Sequence, residues 1–285
     1  FMLDRESLSI FRWSISQEQY LSTLPLINFP DVISHSVTHD RLYLGYSSGK
    51  INYFELQGEL PVEQQLTALP MSVHGLKAFN NLIFAADASG AWNTQYVFNL
   101  EGELLSSEDW RNKSRTYLWN PSNSQMYYFR DGSSPNDIEW TYINPLTGII
   151  GNDGDSIYHG SSISTRAPLV LINNNQLILN GGGQILDPSS SLKILNNIGN
   201  NIRDAVWSVD RLITVNEDGT KYQIWNDNYE LTRENAVTTL NPLRVFSYNG
   251  TLVVVSDPNA QPIFTNHQLS STEDSDSDGL YDFFD

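Results

Sequence analysis

Short apolar runs, each only a few residues long, return along this chain at regular intervals, and each is bracketed by clusters of Asp, Asn, Ser and Gly. One column of such runs comprises residues 42–46 (LYLGY), 82–86 (LIFAA), 126–129 (MYYF), 177–179 (LIL), 212–215 (LITV) and 252–255 (LVVV). Turn-forming pairs precede most of them, among them His39-Asp40, Asn80-Asn81, Asn174-Asn175, Asp210-Arg211 and Asn249-Gly250. A second turn follows each, at 47–49, 87–90, 131–133, 181–183, 217–219 and 257–259. Residues of these types tolerate tight or left-handed backbone, so the pattern predicts hairpins.

A further set of strands is predicted after the second turn, where aromatic and β-branched residues alternate with polar ones: 51–54 (INYF), 95–98 (QYVF), 138–142 (IEWTY) and 222–225 (YQIW). The segments after those, such as 59–69 and 101–106, are more polar and suit an outer edge. Six such units fit between Asp31 and Ser270, and residues 8–26 read as the third and fourth strands of one more. Helical periodicity of useful length is absent. The expected fold is therefore all-β, with four-stranded units repeating about every forty residues.

This pattern over residues 1–270 resembles a β-propeller of the WD40, YVTN or quinoprotein-like type, and Trp225-Asn226 stands at the end of a third strand where the WD40 family often has Trp-Asp. The other units lack that dipeptide. The resemblance implies seven blades, six complete and a partial one at the N-terminal end. It also implies that the second-to-third-strand turns and the links between blades share one face. On that face it would gather Trp92, Trp110, Arg130, Asp131, Tyr158, His159, Glu217, Asp218 and Asp257, an aromatic and acidic set suited to a protein or glycan ligand.

The last twelve residues carry different chemistry. Asp274, Asp276, Asp278, Asp282 and Asp285 fall at loop positions one, three, five, nine and twelve, with Gly279 at the sixth, where the chain must turn sharply around an ion. Leu280, at position seven, would contribute its backbone carbonyl. Calcium takes about six to eight hard oxygens, and this spacing supplies most of them from one segment. The pattern D-x-D-x-D-G-x-x-D-x-x-D is similar to the thrombospondin type 3 repeat of extracellular proteins, so the expected cofactor is Ca2+ and the expected location extracellular or on the cell surface. Residues 271–285 are accordingly read as the truncated start of an acidic calcium-binding linker after a 1–270 propeller. With the opening Phe1, this predicts a segment of a larger multidomain protein.

Charge narrows the partners. Sixteen basic residues against thirty-three acidic ones give −17, which repels phosphate backbones and anionic lipid, so nucleic acid is not an expected partner. No run approaches the roughly eighteen apolar residues that cross a bilayer. The absence of cysteine removes thiolate metal sites and cysteine nucleophiles.

Several motif-like strings read as structure. Gly45-Tyr46-Ser47-Ser48-Gly49 has the letters of a hydrolase nucleophile elbow, but a strand follows where the elbow needs a helix. Asn180-Gly181-Gly182-Gly183 likewise reads as a hairpin turn, His35 and His39 as ordinary packing, and 152–155 (NDGD) as a solvated turn. The expected function is a non-enzymatic binding module with a calcium-binding linker; the alternative is a propeller enzyme, either a hydrolase or lyase acting on polysaccharide or a quinoprotein-like dehydrogenase. Calorimetric titration of calcium should reveal a carboxylate-dependent site that Asp276→Ala abolishes; the absence of heat at millimolar calcium would contradict the ligand assignment.

Overall fold

The computed structural model describes residues 1–58, 61–90, 92–130, 132–208, 210–236, 242–248, 251–256 and 262–268. The six residues of the predicted calcium loop, Asp274, Asp276, Asp278, Leu280, Asp282 and Asp285, lie outside these, as do Asp131 and Asp257.

Among the described residues twenty-six strands form seven antiparallel sheets, each a simple meander, as the repeat in the sequence predicts for a seven-bladed β-propeller. The first sheet contains β1 (Met2–Asp4), β2 (Ser9–Ser14) and β3 (Gln19–Pro25). The second contains β4 (Val32–Ser36), β5 (Arg41–Gly45), β6 (Lys50–Glu55) and β7 (Glu63–Ala68). The third runs β8 (Val73–Phe79), β9 (Leu82–Asp87), β10 (Trp92–Phe98), β11 (Leu104–Asn112), and the fourth β12 (Tyr117–Asn120), β13 (Gln125–Arg130), β14 (Asp137–Ile143), β15 (Ile150–Asp155). In the fifth are β16 (Leu169–Ile172), β17 (Leu177–Asn180), β18 (Gln184–Asp187) and β19 (Lys193–Asn197). The sixth holds β20 (Ile202–Ser208), β21 (Arg211–Asn216), β22 (Lys221–Trp225) and β23 (Leu231–Ala236), and the last β24 (Pro242–Tyr248), β25 (Thr251–Ser256) and β26 (Ile263–Gln268). Among the described residues the only helical turns are two short 3-10 turns, Gly160–Ser162 and Pro188–Ser190, and no helix is long and apolar enough to cross a membrane.

Two expectations are corrected. The N-terminal sheet has three strands where two were expected, because Met2–Asp4 pairs with Ser9–Phe11 ahead of the first obvious apolar run. Residues 152–155 belong to strand β15, where a solvated turn was expected, and Asp153 there forms an ion pair with Arg111 at 2.5 Å. The Gly45–Gly49 string is the hairpin between β5 and β6, with the Gly49 amide donating to the Tyr46 carbonyl at 3.0 Å. The glycine run 181–183 is the corresponding turn between β17 and β18.

The chain divides into two compact units, residues 1–154 and 155–285. In the first, second strands are heavily buried: β9 is buried at all six positions and β5 and β13 at four each. Such strands are covered on both faces, which is why they read as continuous apolar runs. The fourth strands β7 and β11 are exposed or half-buried almost throughout, matching their polar sequence. The core lies between blades: Phe79 stacks on Trp119 at 4.1 Å, and Phe84, Tyr117 and Tyr128 fill the same cluster. First strands of successive blades approach closely, so that a Cβ on Gly75 of β8 would lie 2.1 Å from the Tyr117 ring of β12. In the second unit the same logic buries β21 and β25, with Ile213, Val215, Ile224, Val245, Leu252 and Val254 in one cluster.

Candidate functional site

The ends of β10 and β11 in the first unit bring together two of the expected face residues. Trp92 opens β10 and Trp110 lies near the end of β11; their ring centroids are 6.3 Å apart at 54°, and they are 47% and 75% exposed. Core packing therefore does not account for either ring.

Register explains the juxtaposition. Asn93 pairs with Arg111 and Gln95 with Glu108, so Asp109 and Trp110 both stand opposite Thr94. That extra residue is a β-bulge, a device that re-aims side chains at a sheet edge. Trp110 occupies it at φ +62°, in the left-handed region. For an L-residue other than Gly this costs about 1–2 kcal/mol, and an exposed indole gains no burial to offset it.

Polar anchors hold the bulge. The Asp87 carboxylate, buried at the end of β9, accepts from the Ser89 and Thr94 amides at 3.2 and 3.1 Å and from the Ser89 hydroxyl at 2.7 Å. Its other oxygen accepts from the Tyr96 hydroxyl at 3.2 Å. Ser89 also donates to the Trp92 carbonyl at 3.0 Å, and Thr94 donates to Asp109 at 2.8 Å. Arg111 ties β11 to β15 through Asp153. The result is an open depression of about 370 Å³ lined by Ser89, Trp92, Asn93, Thr94, Asp109 and Trp110.

Asn93 is the residue sequence reading missed. Only 1% exposed, it donates from Nδ2 to the Tyr117 hydroxyl at 3.3 Å, while its Oδ1 has no hydrogen-bond partner among the described residues. A buried amide oxygen left unmatched costs about 1–3 kcal/mol. Nothing in the local sequence distinguishes it from any other Asn beside a turn.

Arg130, also expected on this face, is fully engaged on β13. Its guanidinium donates to Asp137 and Glu139, both at 3.0 Å, and to the Pro135 carbonyl at 2.8 Å. Glu139 also accepts from Asn112 at 2.6 Å, linking this network to the end of β11. With Asp137 fully buried, the cluster is a structural brace: removing the cation would strand two carboxylates out of water.

The remaining face candidates lie in the second unit. Tyr158 closes a turn in which its amide donates to the Ser156 hydroxyl at 3.1 Å, and His159 directly precedes the 3-10 turn that follows, without a side-chain capping bond. Glu217 pairs with Arg166 and accepts from Asn201 at 2.9 Å; the Asn201 bond first, then Arg166, holds its carboxyl below the ordinary value. Asp218 is lowered likewise by the hydroxyl and amide of Thr220. Of the histidine pair, His39 bonds Asn81 at 2.9 Å and His35 faces Asp40 at 3.8 Å, so the two engage separate partners.

His74, at the start of β8, stands among Lys113 and Arg115 of the link that leaves β11. Burial first, then the two cations, push its pKa down to about 4. Neutral imidazole therefore persists well below the ordinary 6.5.

No family model matches the sequence, and no curated protein matches it. Its backbone is similar to solved structures. Hydrazine synthase of Kuenenia stuttgartiensis superposes with a TM-score of 0.67 at 12% identity, over 93% of this chain and 91% of that one. Sqt1 of Saccharomyces cerevisiae gives 0.59 at 10% identity over 85% and 82%, and the WD40 β-propeller domain of Doa1 gives 0.59 at 15% over 96% and 89%.

Because the unfolded chain takes up the His74 proton at ordinary pKa and the folded chain does not, the stability associated with His74 is complete above pH 6.5 and is lost as pH falls towards about 4. His74→Gln should flatten this part of the stability profile in chemical denaturation across that window; a wild-type slope retained in the variant would show that His74 is not its source. At such identities the likeness speaks for the fold: this chain is a seven-bladed β-propeller with structural neighbours of WD40 type.

Proposed function

We propose that the chain is a non-enzymatic binding module of a secreted or cell-surface protein, which holds a protein or glycan ligand on the blade ends around Trp92 and Trp110. The exposed tryptophan pair is the observation that carries this reading. Large aromatic surfaces left in water on a rigid sheet end supply contact area at little entropic cost when a partner covers them.

The neighbouring carboxylates support binding over chemistry. Asp137 and Glu139 are both engaged by Arg130, and Asp87 is consumed in shaping a turn. The similarity to a WD40 propeller domain fits an interaction role for the fold. On the same reading residues 274–285 hold Ca2+ and stiffen the exit from the propeller, with Asp274, Asp276, Asp278, Leu280, Asp282 and Asp285 as ligands; the support is their spacing, and the repeat it resembles belongs to extracellular proteins.

Soluble polysaccharides and matrix proteins passed over the immobilised chain, with the recovered ligand sized afterwards, test this proposal. Saturable binding, ligand of unchanged size and weaker binding by Trp92→Ala are expected. Ligand recovered shortened would indicate an enzyme, and equal binding by Trp92→Ala would move the contact elsewhere.

A further inference from the structure

Three features coincide in the depression at the end of the third blade: an indole held at φ +62°, two rings exposed to water, and a buried amide with an unmatched end. Each is unfavourable in the free protein, and each would be relieved or put to use by one bound group. Backbone strain and buried unmatched polar atoms concentrate where a ligand completes the structure. We propose that Trp92, Trp110, Asn93 and Asp109 form a binding site for a neutral glycan, a proposal that rests on reading the chain as a binding module.

The chemistry of the lining selects the ligand class. At a centroid separation of 6.3 Å the two indoles already contact each other, so the ligand lies across their outer faces and not in a slot between them. A pyranose ring offers a flat C–H face for this, flanked by hydroxyls at its edge. Hydroxyls also suit Asn93. With the amide oriented so that Nδ2 meets Tyr117, the oxygen is unmatched; with the amide turned over, the nitrogen would be unmatched instead. A hydroxyl donates and accepts, so it satisfies either end, whereas an ammonium satisfies only the oxygen. Asn93 lines the depression, so a hydroxyl for it would come from a group seated there.

Charge removes the acidic glycans. The chain carries −17 and the site itself contains the exposed carboxylate of Asp109, whose Oδ1 is engaged by Thr94. Uronic acids and sulfated sugars would meet repulsion there. The openness of the depression fits an internal stretch of a chain better than a small molecule that must be enclosed.

Affinity electrophoresis of the full chain in gels containing dextran, mannan, xylan, galactan or, as the acidic control, polygalacturonate tests the proposal, with choline and a trimethyl-lysine peptide as cationic probes followed by tryptophan fluorescence. At least one neutral polysaccharide should retard the wild type. Trp110→Ala, an exposed position whose replacement leaves the core intact, should weaken that retardation roughly tenfold or more, as truncation of a hot-spot aromatic does. Thr94→Val, which releases Asp109 while keeping the strand, should weaken it as well. Retardation by none of the neutral gels, or retardation unchanged in Trp110→Ala, overturns the glycan assignment. A response confined to the cationic probes and lost in Trp110→Ala overturns it too, but keeps this face as a binding site. If neither gels nor probes respond to Trp110→Ala, both the glycan assignment and the placing of the module's contact at this face fail.

Discussion

Burial of second strands on both faces, complete in β9, is the constraint from which the rest of the structure follows. A strand such as β9, apolar from Leu82 to Ala86 and inaccessible along its whole length, cannot exist in an isolated sheet; it needs a blade on either side. That requirement makes the pattern repeat, excludes glycine's replacement where β8 meets Tyr117, and drives polar sequence outward to β7, β11 and their counterparts. It also leaves little freedom for chemistry within the blades. Functional side chains are confined to strand ends, turns and outer strands, where backbone irregularity is tolerated.

The third blade exploits that freedom at its outer strand, which is bulged as those of other blades are. Its outer strand takes up an extra residue at Asp109–Trp110, and three polar contacts support the accommodation. Asp87 holds the turn beneath it, Thr94 bonds Asp109, and Arg111 is bridged to Asp153. The adjoining blade contributes a rigid brace in Arg130, Asp137 and Glu139. An exposed, strained indole on such a support is pre-organised surface, since the cost of holding its position has been met by folding and need not be met on binding.

Much of this was legible in the sequence, for a definite reason. Two-sided burial writes an uninterrupted apolar run between turn residues, so the runs at 42–46, 82–86, 126–129, 177–179, 212–215 and 252–255 mark the second strands and with them the blades. Strands held mainly by pairing leave weaker traces. Met2–Asp4 is short and half-buried, and residues 152–155, rich in Asp and Gly, read as a turn although pairing and Arg111 hold them in β15. The fourth strand expected at 101–106 runs instead over Leu104–Asn112, because residues 101–103 belong to the turn before it and two bulges add residues opposite β10. Trp92 and Trp110 stand out in the sequence as face residues, yet their contact depends on a register shift that no local pattern encodes. Asn93 is invisible there for the same reason: an amide becomes unusual only once its neighbours fail to complete its bonding. Of the other face candidates, Arg130 is a brace, and Tyr158, His159, Glu217 and Asp218 belong to the second unit.

The central claim is that Trp92 and Trp110 are the surface that a ligand covers. Acrylamide quenching of the chain's seven tryptophans, with and without a saturating polysaccharide that the chain binds, addresses it most directly. The expected result is a readily quenched component that the ligand protects and that is missing from the Trp92→Phe/Trp110→Phe double variant. Binding that leaves quenching of the wild type unchanged would contradict it.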